Sequence, residues 1–368
     1  LSFTDDFKPV KAGLYGAGAF GTYVAGALAG SLSVRVVAVA SRTPARASAL
    51  ARDEGVSRTH ESYERLLADP EIELIILATP PGEHGPQALA ALQAGKHVFV
   101  EKPLATSLDM AEAIIREAKA HNLIVAVDYP MLYTPLVEAA VLFNSSRLVG
   151  PLLRISVENI ASCQGLDDAH WFWDKDLSGG IFVEHGVHFF DWCGRLAGDA
   201  RQVVALASTH GVREDQVVAL VQHAGDVVAS YHHSFVTRPQ NERTQTVLSY
   251  EGVDVVLDGW IPTRLHMRGP SAAIATTTVR RMLHRSVESI PDARVGFFFD
   301  AGRKATVYAS GVRAAAEDTA RAIRVSGHVA RNDAQRTLPS LRVAVAAREA
   351  ASTGVAVELG ATRSEARP

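Results

Sequence analysis

The chain has 368 residues, 47% of them hydrophobic, and a formal net charge of −3 at neutral pH. That length accommodates two domains with separate cores, and so small a charge gives no reason to expect nucleic acid or an anionic membrane as a partner. Cys163 and Cys193 are the only cysteines, too few for a disulfide framework in a chain of this size, so a reducing, cytoplasmic compartment is expected. No uninterrupted apolar stretch is long enough to span a bilayer, and Leu1 to Lys8 lacks the basic-then-apolar order of a secretory signal.

The first predicted strand lies within Val10–Tyr15 and runs into Gly16-Ala17-Gly18-Ala19-Phe20-Gly21, after which Thr22–Ala29 has helical character. A strand, a G-x-G-x-x-G turn and a helix in that order are the context in which the motif points to a dinucleotide. Gly16 allows the tight turn, Gly18 lets the backbone approach a pyrophosphate, and Gly21 lets the helix pack closely on the strand. The helix amino end, entered at Ala19 and Phe20, offers N–H groups to the phosphates. The next strand, Val34–Ala40, ends in Ser41-Arg42-Thr43-Pro44. A fold selective for the unphosphorylated cofactor places a carboxylate about 20 residues past the glycines to hold the ribose 2′-hydroxyl, and no acid stands at this strand end. Ser41 and Arg42, with Arg46 as a second cation, suit a 2′-phosphate, so NADP(H) is favoured and NAD(H) stays possible.

Further strands at Leu74–Ala78, His97–Val100 and Ile124–Asp128 alternate with helical stretches at Pro44–Glu54, Ser62–Ala68, Gly85–Ala94 and Ser107–Ala120. The alternation predicts a doubly wound parallel sheet over residues 1–128, with right-handed crossovers. Thr79 and Pro80 follow a strand and so belong to the carboxyl edge that faces a cofactor. His84, opening the next helix, either lines the nicotinamide end or is a helix-capping or surface histidine. Glu101-Lys102-Pro103 leaves the apolar run Val98-Phe99-Val100 at the same edge. A lysine there needs a partner or a task, because desolvating an unpaired charge is costly, and the proline fixes the backbone beside it. Glu101 and Lys102 are taken as cofactor contacts, and Lys102 also as catalytic.

After Asp128 the rhythm changes, and residues 129–368 read as a second domain. A helix at Thr134–Phe143 and a strand at Leu152–Asn159 come first. Extended segments then follow one another at Gln202–Ser208, Val217–Gln222, Val227–Ser234, Gln245–Tyr250 and Val253–Leu257. Consecutive strands of this kind predict an α+β domain with a large, mostly antiparallel open sheet. Helices are expected at Thr277–Arg285, Arg303–Arg324 and Leu341–Ala351, with a last strand at Val355–Leu359. Between the two glycines Gly179-Gly180 and Asp191, a continuous helix would put Glu184, His188 and Asp191 on one face of an otherwise apolar segment. A histidine one turn from a carboxylate can be held in a single tautomer and serve as general base or acid. Lys102, His188 and Glu184 are therefore the catalytic candidates. Glu184, His185 and His188 lack a further acid and histidine to complete a metal set, so no metal is expected. Trp171 and Trp173 offer faces to a sugar or a flatter, less polar ring, and Tyr129, Glu184, His185 and His188 complete the predicted substrate contacts. His232, His233 and Arg238 read as core or interface residues.

Taken together, the Gly16-x-Gly18-x-x-Gly21 turn, Glu101-Lys102-Pro103, the glycine-led helix with His188 and the closing Ala347-Arg348-Glu349-Ala350 … Thr353-Gly354-Val355 resemble one family over nearly the whole chain. It is the glucose–fructose oxidoreductase, inositol dehydrogenase and rhizopine-catabolism (Gfo/Idh/MocA) family. The resemblance implies hydride exchange between a nicotinamide and a secondary alcohol or ketone carbon of a sugar, cyclitol or related polyol. It also implies a homo-oligomer, dimer or tetramer, formed through the open sheet. Lys102 matches the family's lysine on the reacting oxygen, and His188 its histidine, base in oxidation and acid in reduction; Asp191 matches the acid one turn later. Glu184 stands where aspartate is usual, Ser178 where the first of three glycines is common, and Leu132-Tyr133-Thr134-Pro135 lacks a frequent arginine. These departures bear on the substrate and leave the reaction class intact. Alternatives are a reductase of a non-sugar ketone or imine, a redox-assisted glycoside-cleaving enzyme, and a cofactor-bound sensor or co-regulator. Retention of both Lys102 and His188 argues against the last.

Overall fold

A computed structural model describes residues 8–283, 287–292 and 296–360. The amino-terminal stretch Leu1–Phe7 and the end of the helix expected at Thr277–Arg285 lie outside the described residues. The chain falls into two compact units, Leu1–Leu132 with Ala309–Leu338 and Tyr133–Tyr308 with Pro339–Pro368.

In the first unit strands and helices alternate: β1 (Val10–Tyr15), α1 (Ala19–Leu28), β2 (Val34–Ala40), α2 (Pro44–Asp53), β3 (Arg58–His60), α3 (Tyr63–Leu67), β4 (Leu74–Leu77), α4 (Pro81–Gln93), β5 (His97–Glu101), α5 (Leu108–Ala120) and β6 (Val125–Asp128). The six strands form one sheet in the order β3-β2-β1-β4-β5-β6, with every pair parallel. All four residues of β4 are buried, as helices on both faces of a parallel sheet require. The order reverses between β1 and β4, and sheets of this kind bind ligands in the crevice at the carboxyl ends there. Ser62 and Ser107 cap α3 and α5 by accepting from the amides of Arg65 and Met110. Strand β3, Arg-Thr-His, has no apolar residue and so carries no sequence signal. Helix α4 starts at Pro81, four residues before the expected Gly85, because a proline in the first helical turn loses no hydrogen bond.

The second unit follows with α6 (Pro135–Ser146), β7 (Leu152–Ser162), α7 (Lys175–Ser178), α8 (Val187–Ala197), β8 (Ala200–His210), β9 (Arg213–His223), β10 (Val228–Thr237), β11 (Arg243–Tyr250), β12 (Asp254–Asp258), β13 (Arg264–Arg268), α9 (Ala272–Met282), β14 (Glu288–Asp292) and β15 (Gly296–Asp300). Helices α10 (Lys304–Arg324) and α11 (Ala334–Thr353) and strand β16 (Val357–Glu358) complete the chain. Ten strands pair in the order β14-β15-β13-β12-β11-β7-β10-β9-β8-β16. They are antiparallel except for the parallel neighbours β7 and β10. Burial alternates along β9, with Val217, Ala219 and Val221 inside and Val218 and Leu220 outside. On the inner face Phe190 of α8 meets Tyr231 edge-on at 4.7 Å. The outer face leaves an apolar patch in which Val204 pairs with Leu220 and Leu206 with Val218, all four exposed. Strands β13 to β15 were not expected, since Arg264, His266 and Arg268 mask the first and Pro291 interrupts the edge strand β14.

One correction concerns the domain boundary: residues 309–338, placed in the second domain from sequence, belong to the first unit. There Arg313 donates to the Ala27 carbonyl at 2.7 Å, Arg324 pairs with Glu73 at 2.7 Å, and the Asn332 carbonyl accepts from the Val127 amide at 2.9 Å. Gly311 makes the return of α10 possible, for a β-carbon on it would lie 2.7 Å from the Pro130 carbonyl oxygen. Gly311→Ala is therefore expected to cost about 1–3 kcal/mol by overpacking, seen in thermal unfolding as a Tm lower by several degrees. Ser310→Ala, at an exposed neighbour, should leave Tm unchanged.

Candidate active site

The glycine turn between β1 and α1 is built from three different demands. Gly16 has φ +109°, and a β-carbon there would collide with the Ala78 carbonyl oxygen. One on Gly21 would collide with the Gly16 carbonyl oxygen, so the absence of a side chain lets α1 approach β1. Gly18 faces open space, with nothing within 4 Å of where a β-carbon would stand, and it is the N-cap of α1 with no side chain capping the helix. The first-turn amides, beginning at Ala19 and Phe20, are left for a ligand. A cavity of about 360 Å³ adjoins them, lined by Gly18, Ala19 and Thr22 and, from α2, by Arg46 and Asp53. Open space over Gly18 and an uncapped helix amino end fit a dinucleotide pyrophosphate. At the end of β2, the Ser41 hydroxyl accepts from the Thr43 amide at 3.3 Å, and Arg42 reaches Glu83 of α4 at 2.9 Å with its side chain 72% exposed.

The carboxyl ends of β4, β5 and β6 carry the other residues of this unit. Pro80 is the N-cap of α4, and the Thr79 hydroxyl donates to Gln87 at 2.6 Å. His84 is fully buried, its Nδ1 2.7 Å from the Pro103 carbonyl oxygen and its Nε2 2.8 Å from that of Thr79. Its ring thus lies between the segments following β4 and β5; a neutral imidazole can donate to only one of these oxygens at a time. Glu101 and Asp128 are register partners at the ends of β5 and β6. Lys102 follows directly, and its bond to Pro103 is cis. Asp128 is wholly buried, and burial pushes its carboxyl up to about 7 against the downward pull of Glu101 and the Lys102 ammonium. Tyr129, the next residue, is buried as well. Sequence reasoning passed over Asp128, although it ends an apolar strand as Glu101 does.

In the second unit, Asp174 caps α7 by accepting from the amides of Asp176 and Leu177, and the positive φ of Gly179 and Gly180 ends that helix. The chain then enters a wide π-type turn over Phe182–Gly186 before α8 begins at Val187. This corrects the expected continuous α-helix: the wider turn breaks the spacing that would align Glu184 with His188 and Asp191. All three are nonetheless buried, at 8%, 3% and 4% exposure. Asp191 is engaged by Arg195 one turn further on, at 3.2 and 3.3 Å; burial raises its carboxyl while the guanidinium holds it down. His185 stacks on Trp260 at 6.2 Å, and His188 meets the same indole edge-on at 5.4 Å. The Lys304 ammonium lies 5.3 Å from the centre of that indole and Tyr308 edge-on at 5.1 Å. Phe235 contacts both His185, at 5.1 Å, and Trp173, at 6.4 Å, so the Trp171–Trp173 turn joins the same cluster through Phe172. His233 is fully buried 5.5 Å from His185, and burial holds its imidazole neutral, well below the usual histidine range. Trp260 was not foreseen, because it stands alone in a turn after β12 with no periodic pattern around it. No helix among the described residues is long and apolar enough to cross a membrane.

The sequence profile described as an oxidoreductase family with an NAD-binding Rossmann fold matches residues 10–129, and that of the GFO/IDH/MocA C-terminal domain matches residues 149–253. Trans-1,2-dihydrobenzene-1,2-diol dehydrogenase of Bos taurus is 28% identical over 240 residues, which are 64% of this chain and 70% of the relative. The scyllo-inositol 2-dehydrogenase (NAD(+)) of Bacillus subtilis is 29% identical over 191 residues, 51% of this chain and 54% of that one. The WlbA dehydrogenase from Bordetella pertussis, solved with NADH and UDP-GlcNAcA, shares the fold with a TM-score of 0.80 at 21% identity, over 96% of this chain and 98% of its own.

Gly18→Ala separates folding from binding at the turn. Its φ of −81° suits alanine and its surroundings are open, so Tm should stay within about one degree of wild type. The added methyl occupies the place of a pyrophosphate, and nucleotide affinity measured by calorimetric titration should fall about tenfold or more.

Proposed function

Because the chain belongs to the GFO/IDH/MocA oxidoreductase family and carries its NAD(P)-binding Rossmann domain, we propose that it is an NADP(H)-preferring dehydrogenase of a sugar, cyclitol or related polyol. The observation that carries this reading is His188, an imidazole 3% exposed among aromatic rings at the head of α8, where a proton acceptor is shielded from bulk water. The bound nicotinamide supplies the hydride acceptor or donor. His188 takes the proton of the reacting hydroxyl in oxidation and returns it in reduction. The Lys102 ammonium donates a hydrogen bond to the reacting oxygen and stabilises its developing negative charge. Glu184 accepts from a second substrate hydroxyl, and Trp171, Trp173 and His185 offer ring faces. Tyr129, buried beside Asp128, is a further substrate contact in this reading.

Relatives named for a benzene-derived diol and for scyllo-inositol both favour a ring bearing hydroxyls. NADP(H) preference is favoured by the missing acid after β2 and by Arg42, whose exposed pair with Glu83 is worth about 0–1 kcal/mol and yields readily to a 2′-phosphate. Gly16, Gly18, Gly21, Thr79, Pro80 and Glu101 shape the rest of the cofactor site. The three tryptophans Trp171, Trp173 and Trp260 favour as second reading the reduction of a flatter, less polar ring ketone. The apolar patch of Val204, Leu206, Val218 and Leu220 supports a homo-oligomer formed through the outer sheet face. Both cysteines are free thiols, in keeping with a cytoplasmic setting.

Initial rates with NADP⁺ and NAD⁺ against sugars, cyclitols and cyclic diols test the reading; a rate with one polyol supports it. No rate on any alcohol by protein that binds nucleotide moves the reading to ketone reduction or internal redox cycling. Lys102→Ala should lower turnover by about a hundredfold or more with cofactor affinity retained; a variant that keeps its turnover removes Lys102 from the mechanism. His188→Ala should leave a residual rate that rises with pH as hydroxide replaces the lost base, whereas a pH-independent loss would make His188 structural.

A further inference from the structure

Glu101 and Asp128 pair in register on adjacent parallel strands, which lie about 4.8 Å apart. Side chains at paired positions leave the sheet on the same side. Asp128 is wholly buried, and neither of its oxygens receives a hydrogen bond from an N–H or hydroxyl donor. A buried carboxylate in that state is costly. Its neighbour explains how it persists: two ionised carboxylates can only accept, but with one proton present the carboxyl of one donates to the other.

The groups that face Asp128 leave that as the solution. From β5 come Glu101 and Lys102, and from α1 comes Tyr23, whose phenol burial and the Asp128 charge keep protonated. The segment that bridges β6 at Ala126 brings Asp333, whose carboxyl is raised by burial against the pull of the Gln335 amide, at 2.9 Å, and of Arg336. With both strand-end acids ionised, two negative charges would face the single Lys102 ammonium. With one proton between them, one faces one.

We propose that Glu101 and Asp128 hold one proton between them and act as a single negative charge that keeps the Lys102 ammonium ionised and directed from the end of β5. Asp128 is then a positioning residue for Lys102. Only the use made of Lys102 rests on the function proposed above; the shared proton does not. Asparagine at 128 supplies an N–H to Glu101 without needing the proton, and glutamine at 101 does the same for Asp128.

The test is thermal stability of the nucleotide-free protein from pH 4 to 8, for wild type, Asp128→Asn and Glu101→Gln. The native pair keeps a proton up to about pH 7, whereas an unfolded chain releases it at about 4. The native state therefore binds more protons across this window, and its stability falls as pH rises through it, levelling above the native value. Either variant lacks that decline, so Tm of variant minus wild type should grow by several degrees between pH 4 and 7. Profiles parallel to wild type in both variants would overturn the shared proton; if one variant does not fold, the other decides.

A second readout is the ratio of dissociation constants for oxidised and reduced nucleotide. In wild type the oxidised form should gain several-fold relative to the reduced one above pH 7, as the pair loses its proton and its added negative charge favours the cationic ring. In Asp128→Asn the ratio should stay flat; a pH-dependent ratio in that variant removes Asp128 from the device. Wild-type protein that binds no nucleotide but shows the Tm difference would sink the functional reading and leave the shared proton standing.

Discussion

A side chain at Gly21 would run into the Gly16 carbonyl oxygen, so the seating of α1 on β1 exists only because position 21 has none. Much of the first unit hangs on that seating. It brings an uncapped helix amino end to the carboxyl edge of the sheet, beside the reversal of strand order between β1 and β4. The partial positive charge of that helix end falls off within its first turn, so even a small withdrawal of α1 would take the amides out of reach of an anion. Gly16, pressed on Ala78, fixes the turn from the β4 side, while Gly18 contributes only emptiness. Three glycines in one motif thus act on backbone conformation, helix packing and ligand space respectively.

The two ends of these strands show how a parallel sheet treats polar groups it cannot expose. Buried polar atoms are nearly always hydrogen-bonded, and most here find backbone. Lys96 is buried and donates to the carbonyls of Asp69 and Ile72 at 2.9 and 2.7 Å. His84 lies between two further carbonyls. In the second unit Asp191 has Arg195. These arrangements hold loops or helix turns in place and need no further role. Asp128 breaks the pattern, because its neighbours are another acid and a lysine that leads out of the strand end. An apolar residue would fill that position at less cost, which is the physical reason to look for a role there.

What the sequence makes legible follows from which forces act locally. The strands β1, β2, β4, β5 and β6 are runs of buried apolar residues bounded by turn residues, and each is legible to within a residue or two at its ends. Strands β7 to β12 are legible as well, though their ends run up to four residues beyond the expected bounds, since one face of their sheet is packed and the other open. Strands β3, β13 and β14 carry polar or interrupted sequences and exist because a neighbouring strand offers a ladder, whereas β15, Gly-Phe-Phe-Phe-Asp, is a short apolar run that was passed over. The return of residues 309–338 to the first unit rests on contacts such as Arg313 with Ala27, across 286 positions of sequence, which no local pattern encodes. The candidate site divides the same way. The glycine turn, Lys102 and His188 announce themselves by motif, while Asp128 and Trp260 become visible only when the register of a strand or the packing of a ring is known.

Ahead of α8, the π-type turn decides which rings meet. A regular helix from Ile181 would align Glu184 with His188, four residues on, and leave His185 to one side of that pair. Widening the turn over Phe182–Gly186 instead lets His185 and His188 share the indole of Trp260, one stacked and one edge-on. The rings around them are Phe189, Phe235 and His233, and His233 stays neutral because it is too deeply buried to carry charge. A cluster of three imidazoles could otherwise accumulate positive charge and repel it from every member. The deepest of the three rings adds no charge to the cluster. The local unwinding of the helix thus sets which histidines meet, and burial keeps the deepest of them neutral.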